Sequence, residues 1–139
     1  MSERDEWNRK IIEEFRTNAG KVGGPFEGVP ILLLHHRGAK SGTERISPLA
    51  YRRDGDNLVV FASKGGAPTH PAWLHDVIAH PQATVEVGGE TVQVRARVAQ
   101  PAERDVIFSR QTARNPVFAQ YAARAVPRTI PVVVLDPRR

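Results

Sequence analysis

The 139-residue chain is 40% hydrophobic and 25% charged, with 20 Lys and Arg against 15 Asp and Glu and no cysteine. That length suffices for one buried core, and the missing thiols exclude disulfides, thiolate metal sites and cysteine nucleophiles. The formal charge of +5 favours an anionic partner, whether nucleic acid, a membrane surface or a phosphorylated ligand.

Ser2 and Asp5 have the spacing of a capping box, and acids fill the first turn, where the helix dipole favours them. Trp7, Ile11 and Phe15 then recur at helical spacing beside Ile12, and Gly20 is a stop signal. The pattern predicts an amphipathic helix over residues 3–19 whose apolar stripe packs on the domain. The acidic start has no apolar signal core, and the longest apolar run, Val29–Leu34, contains Pro30 and falls short of the ~20 residues that span a bilayer. A cytoplasmic location is expected.

Gly23, Gly24, Pro25 and Gly28 mark a loop. Ile31–His36 reads as a strand ended by the turn Gly38–Gly42, and Arg45–Arg53 as a second strand in which Pro48 requires an edge or a bulge. Asp54-Gly55 is a hairpin signal, with Asn57–Ser63 returning. A loop over residues 64–68 leads to a short helix starting at Pro71, with Trp73, Leu74, Val77 and Ile78 as its apolar face and Pro81 as its end. Ala83–Val87 and Thr91–Val98 form a hairpin around Gly88-Gly89-Glu90. Helices follow over Ala102–Ala113 and Pro116–Ala125, then a β-branched strand Ile130–Asp136. About six mostly antiparallel strands with helices at one end and between hairpins predict an α+β barrel or rolled sheet in a single domain, residues 1–139. Strict βαβ alternation is absent, which argues against a dinucleotide-binding parallel sheet.

Arg37-Gly38-Ala39-Lys40-Ser41-Gly42-Thr43-Glu44-Arg45 combines turn glycines with Lys40, Ser41, Arg45 and the nearby Arg37 as donors. Backbone N–H groups turned inward there would suit an oxyanion, although the order is not a Walker loop and a plain charged turn is the alternative. Ala62-Ser63-Lys64-Gly65-Gly66 would let a flat ligand approach the backbone, or be a flexible connection. Phe118 and Tyr121 share a helical face and would either line an acceptor pocket or belong to the core. Among the five histidines, His35 and His36 point to opposite faces of a strand, and His70, His75 and His80 drift around a helix, so no metal site is expected.

With Gly38-Ala39-Lys40-Ser41-Gly42, Pro48-Leu49-Ala50-Tyr51, Asp54-Gly55, Ala62–Gly66, Pro71-Ala72-Trp73-Leu74, His80-Pro81 and Arg128–Val133 in order, the chain resembles the deazaflavin-dependent nitroreductases, also described as F420H2-dependent quinone reductases. The likeness runs from about Ile31 onward. It implies a split β-barrel like those of flavin-binding oxidases, using coenzyme F420 to reduce a quinone-like planar acceptor. It further implies that Lys40, Ser41 and Arg45 hold the cofactor's phosphate and acidic tail, and that Ser63, Lys64 and Gly65 lie beside its rings. Pro48, Tyr51 and Trp73 would border the groove. The family often has Arg at the position of Ala39, for which Arg37 is the candidate replacement. A tyrosine tied to acceptor activation in one member aligns with Phe118, which has no donor, so nitro reduction stays open and Tyr121 is the candidate catalytic hydroxyl. The same barrel holding flavin mononucleotide (FMN) is one alternative and a basic barrel binding nucleic acid another. The second fits less well, because Trp7, Trp73 and Tyr121 fall on predicted helices instead of arraying along strands. Oligomeric state and peripheral membrane association are left open.

Overall fold

Alternation explains the strands. In β1 (Ile31–Arg37), Leu32 and Leu34 pack into the barrel interior, while Ile31 and Leu33 face the opposite way onto helix α1 (Glu3–Thr17). Both faces are therefore covered, which is why Ile31–Leu34 reads as an unbroken apolar run. β2 (Glu44–Asp54), β3 (Asn57–Phe61), β4 (Gln82–Val87), β5 (Glu90–Val98) and β6 (Val132–Pro137) complete a closed, wholly antiparallel barrel in the order β1-β2-β3-β6-β5-β4. The computed structural model describes residues 3–18, 20–23 and 29–138; the Ser2 cap and the 24–28 part of the expected loop lie outside them.

Leu32, Leu34, Val60, Val85, Val94 and Leu135 are fully buried at the barrel axis. Each stabilises the fold by about 1.5–3 kcal/mol relative to exposure, and Leu32→Ala would open a cavity at the centre. Ile11 and Phe15 of α1 cover the outside of β1, so the helical stripe packs on the domain as its spacing predicts. Arg16 at the helix end reaches Glu86 of β4 at 2.8 Å, and Glu86 also meets His35 at 2.6 Å. The Arg16 and His35 contacts hold the Glu86 carboxyl below its ordinary range.

Strand direction sets the site. β1 and β3 both run antiparallel to β2, and β5 runs with them, so the segments after all three leave at the same end. That end carries the 38–43 turn, the 62–71 segment with α2 (Ala72–Ala79), and α3 (Pro101–Arg114) with α4 (Val117–Ala125). The other end has only the short hairpin turns at Gly55 and Gly88 between strands. One expectation is corrected here. Ile78 is 58% exposed, because α2 seats Trp73, Leu74, Val77 and the carboxylate Asp76 on the barrel instead.

Candidate functional site

The turn after β1 is held from within and from α2. Gly38 N–H donates to Thr43 O, Gly42 N–H to Gly38 O, Thr43 N–H to Ser41 Oγ, and Ala39 N–H to Asp76 Oδ1 at 2.9 Å. Gly42 sits at φ +71°, a conformation side chains disfavour. Four of the turn's amides are thus committed, while those of Lys40 and Ser41 have no acceptor among the described residues. The side chains of Arg37, Lys40 and Arg45 are exposed, and among those residues they make no hydrogen bond or ion pair. The Arg45 guanidinium folds back toward Gly38, 3.7 Å from where a Cβ would stand. Two N–H groups without an acceptor, next to exposed cations, are the kind of donor set an oxyanion requires. Arg37 borders a cavity of about 610 Å³ shared with His35, His36, Glu44, His80 and Arg95.

Beneath the turn runs a buried polar string. His36 continues the inward parity of Leu32 and Leu34; its Nδ1 lies 2.7 Å from Asp76 Oδ2 and its Nε2 2.8 Å from Ser47 Oγ. Both members of the His36–Asp76 pair are almost wholly buried. Burial pushes the imidazole pKa down, with Asp76 opposing the shift and Arg45 and His35 adding to it. Removing either partner would strand a buried polar group.

Across β2 lies the segment after β3. Lys64, Gly65 and Gly66 all adopt positive φ (48°, 63° and 83°). For Lys64 the left-handed conformation costs roughly 1–2 kcal/mol, and its Nζ reaches Thr69 Oγ1 at 3.0 Å. Gly66 is required by contact as well: a Cβ there would lie 2.7 Å from Tyr121 O and 2.8 Å from Arg124 Cβ on α4. The whole segment is gripped by Arg128, whose guanidinium donates to the carbonyls of Ala62, Ser63 and Ala67 at 2.8–3.0 Å and to His70 Nδ1 at 3.0 Å.

Between these two loops β2 is open. Its pairing with β3 covers only Tyr51–Asp54, so residues 44–50 are paired with β1 alone. Tyr51 N–H donates to Pro30 O; by antiparallel alternation the nitrogen of Pro48 then faces the unpaired side, where no donor is needed. Pro48 therefore stands at a local strand edge, on the stretch of β2 leading to the end of the barrel that carries both the 38–43 turn and the Ser63–Gly66 segment. Tyr51 and Trp73 pack with the interior core, Trp73 at 6% exposure. Phe118 is in an edge-to-face cluster with Phe61, Phe108 and Tyr121, 5% exposed. Tyr121 lies at the rim of that cluster beside Gly66, and its hydroxyl has no partner among the described residues.

Sequence reasoning gave no role to His36, Ser47, Asp76 or Arg128. The first was visible as the inward position of an alternating strand, and Asp76 as a lone carboxylate between Leu74 and Val77; the fork of Arg128 on a distant loop had no local signal.

The family model described as F420H(2)-dependent quinone reductase matches residues 7–137. An F420H(2)-dependent quinone reductase of Mycobacterium tuberculosis is 38% identical over 130 residues, covering 89% of this chain and 85% of that protein. Among solved structures, an F420-H2 dependent reductase superposes with a TM-score of 0.69 at 33% identity, covering 77% of this chain and 94% of that one. A chain described as a domain-swapped dimer superposes at 0.71 with 28% identity, covering 97% and 100%.

Proposed function

The chain belongs to the F420H(2)-dependent quinone reductase family, and from that premise we propose how its own residues carry out the reaction in the cleft between the 38–43 turn and the Ser63–Gly66 segment. It is an oxidoreductase that uses reduced coenzyme F420. When bound, the coenzyme supplies a hydride, since carbon in place of a flavin's reactive nitrogen favours two-electron transfer. The FMN and nucleic-acid readings are not favoured.

The observation that carries the assignment is the set of unpaired donors at the turn. Lys40, Arg45, Ser41 and the amides of Lys40 and Ser41 offer charge-assisted bonds to a phosphate, each contributing about 1.5–3 kcal/mol. Arg37 extends the positive field toward the neighbouring cavity. Ser63, Lys64 and Gly65 flank the rings. Lys64 stands in a left-handed conformation that glycine would hold without strain, which supports a role for its side chain. Pro48 floors the cleft. Tyr51, Trp73 and Phe118 act from behind, as packed supports of β2, α2 and α4. The acceptor is a planar, quinone-like molecule; once it has taken the hydride it is an anion, and we assign the Tyr121 hydroxyl as the group that would protonate it. No helix among the described residues is long and apolar enough to cross a membrane; binding at a membrane surface, where quinones partition, is the finer reading we attach to this activity.

Titration with oxidised F420 beside FMN tests the assignment. Lys40→Ala with Arg45→Ala should weaken F420 binding at least ~10-fold, the loss of one charge-assisted bond or more, with the unfolding temperature almost unchanged. Wild-type affinity in the double variant would refute the cradle.

A further inference from the structure

The string Asp76–His36–Ser47 has a direction, and the direction has a consequence in the cleft. A carboxylate only accepts, and Asp76 accepts twice: from Ala39 N–H through Oδ1 and from His36 through Oδ2. The proton of a neutral His36 is therefore on Nδ1, which leaves Nε2 bare and able only to accept. Ser47 Oγ, 2.8 Å away, must turn its single hydrogen inward. What Ser47 has left for any other partner is lone pairs. Ser47 is half-buried, in the stretch of β2 that is unpaired on the β3 side, and it is not part of the wall of the cavity near Arg37.

We propose that Asp76 and His36 are positioning residues that lock the Ser47 hydroxyl as a hydrogen-bond acceptor toward the cleft, selecting an N–H group of the coenzyme's pyrimidine edge over its carbonyls. This rests on the F420 reading above. The charged groups facing His36 are Asp76 from α2, Arg45 from β2 and His35 from its own strand; burial, Arg45 and His35 disfavour its cation, and Asp76 favours it. Protonation of His36 would put a hydrogen on Nε2 and turn the Ser47 hydroxyl outward as a donor. Asp76→Asn produces the same reversal at neutral pH: its carbonyl keeps Ala39, its NH2 faces Nδ1, and the imidazole proton moves to Nε2. The shape is conserved and the polarity inverted.

Two measurements test the lock. Histidine nitrogen chemical shifts in the free protein should show His36 protonated on Nδ1 in the wild type and on Nε2 in Asp76→Asn; an Nε2–H or doubly protonated wild-type ring at pH 7.5 overturns the proposal. In titrations with oxidised F420, Ser47→Ala should bind about 3–5-fold more weakly and Asp76→Asn about 10-fold or more, because one loses an acceptor and the other opposes two donors. The double variant should return to the Ser47→Ala level. A purely structural Asp76 would instead weaken binding equally with or without Ser47, and that result sinks the lock. If Asp76→Asn does not fold, pH carries the test: wild-type affinity should fall on acidification, and Ser47→Ala should lose that dependence. Failure of the wild type to bind F420 would refute the functional reading and leave the tautomer measurement to judge the lock.

Discussion

Replacing Arg128 with lysine keeps the charge and removes the fork. Arg128 Nε and Nη2 both reach Ala67 O (3.0 and 2.8 Å), Nη2 also reaches Ser63 O (2.9 Å), and Nη1 spans Ala62 O and His70 Nδ1 (3.0 Å each). Three carbonyls of one short segment are tied to one rigid plane, a geometry a single ammonium cannot reproduce. Hydrogen bonds to a charged group contribute about 1.5–3 kcal/mol each in net terms. Lysine would keep one or two of them, and water would replace part of the rest because the side chain is half-buried. Arg128→Lys should therefore cost about 2–3 kcal/mol. The loss would be concentrated where Lys64–Gly66 are held in left-handed backbone, so F420 affinity should fall with it. Urea unfolding and coenzyme titration on the same preparation measure both. If stability falls while affinity holds, the 62–67 segment is not part of the coenzyme site; if neither changes by more than about 0.5 kcal/mol, the bonds are not the brace described.

Gly66→Ala should slow turnover and destabilise by more than about 2 kcal/mol, since its Cβ would meet the α4 backbone at 2.7 Å, whereas Gly65→Ala, with open space around it, should cost only the roughly 1–2 kcal/mol of its positive φ. Urea midpoints of the two variants should separate them. Tyr121→Phe should lower kcat with quinone while leaving F420 affinity unchanged, and equal kcat would remove the hydroxyl from the reaction. Stability should fall on acidification from pH 7 to 5: His36 has a folded pKa below the 6.5 of the unfolded chain, so the unfolded state takes up its proton first. His70, lowered by burial and by Arg128, acts in the same sense. His36→Gln should flatten that slope in urea midpoints taken across the range, and an unchanged slope would show that His36 does not titrate with unfolding.

The strands and their partners were largely legible in the sequence because they are written locally. Asp54-Gly55 and Gly88-Gly89 set two registers, and alternation separated His35 on the outer face from His36 on the inner one. The α1 stripe was legible for the same reason. Ile78 misled because an eight-residue helix has only two turns, and periodicity alone could not show that Asp76 would take the inward place. That substitution makes sense only once His36, forty residues away, is known to lie across from it. Phe118 was ambiguous between core and pocket because both need an apolar helical face; the contacts with Phe61 and Phe108 that place it in the core come from other elements.

The unpaired stretch of β2, on which the proposed cleft rests, follows from a mismatch of lengths. β2 has eleven residues and β3 five, so a barrel that closes everywhere else leaves seven residues of β2 without a neighbour on one side. An exposed strand edge invites pairing with another chain, and Pro48 blunts this one by presenting no N–H where a partner strand would dock. Closing the gap would take a longer β3, yet the chain turns away at Ser63 through three successive positive φ angles, and the fork of Arg128 fixes that departure by occupying the carbonyls of Ala62 and Ser63. The opening is thus maintained from both sides, by a missing donor on one strand and by occupied acceptors beyond the end of the other. A flat ligand can lie against backbone there without competing with a sheet.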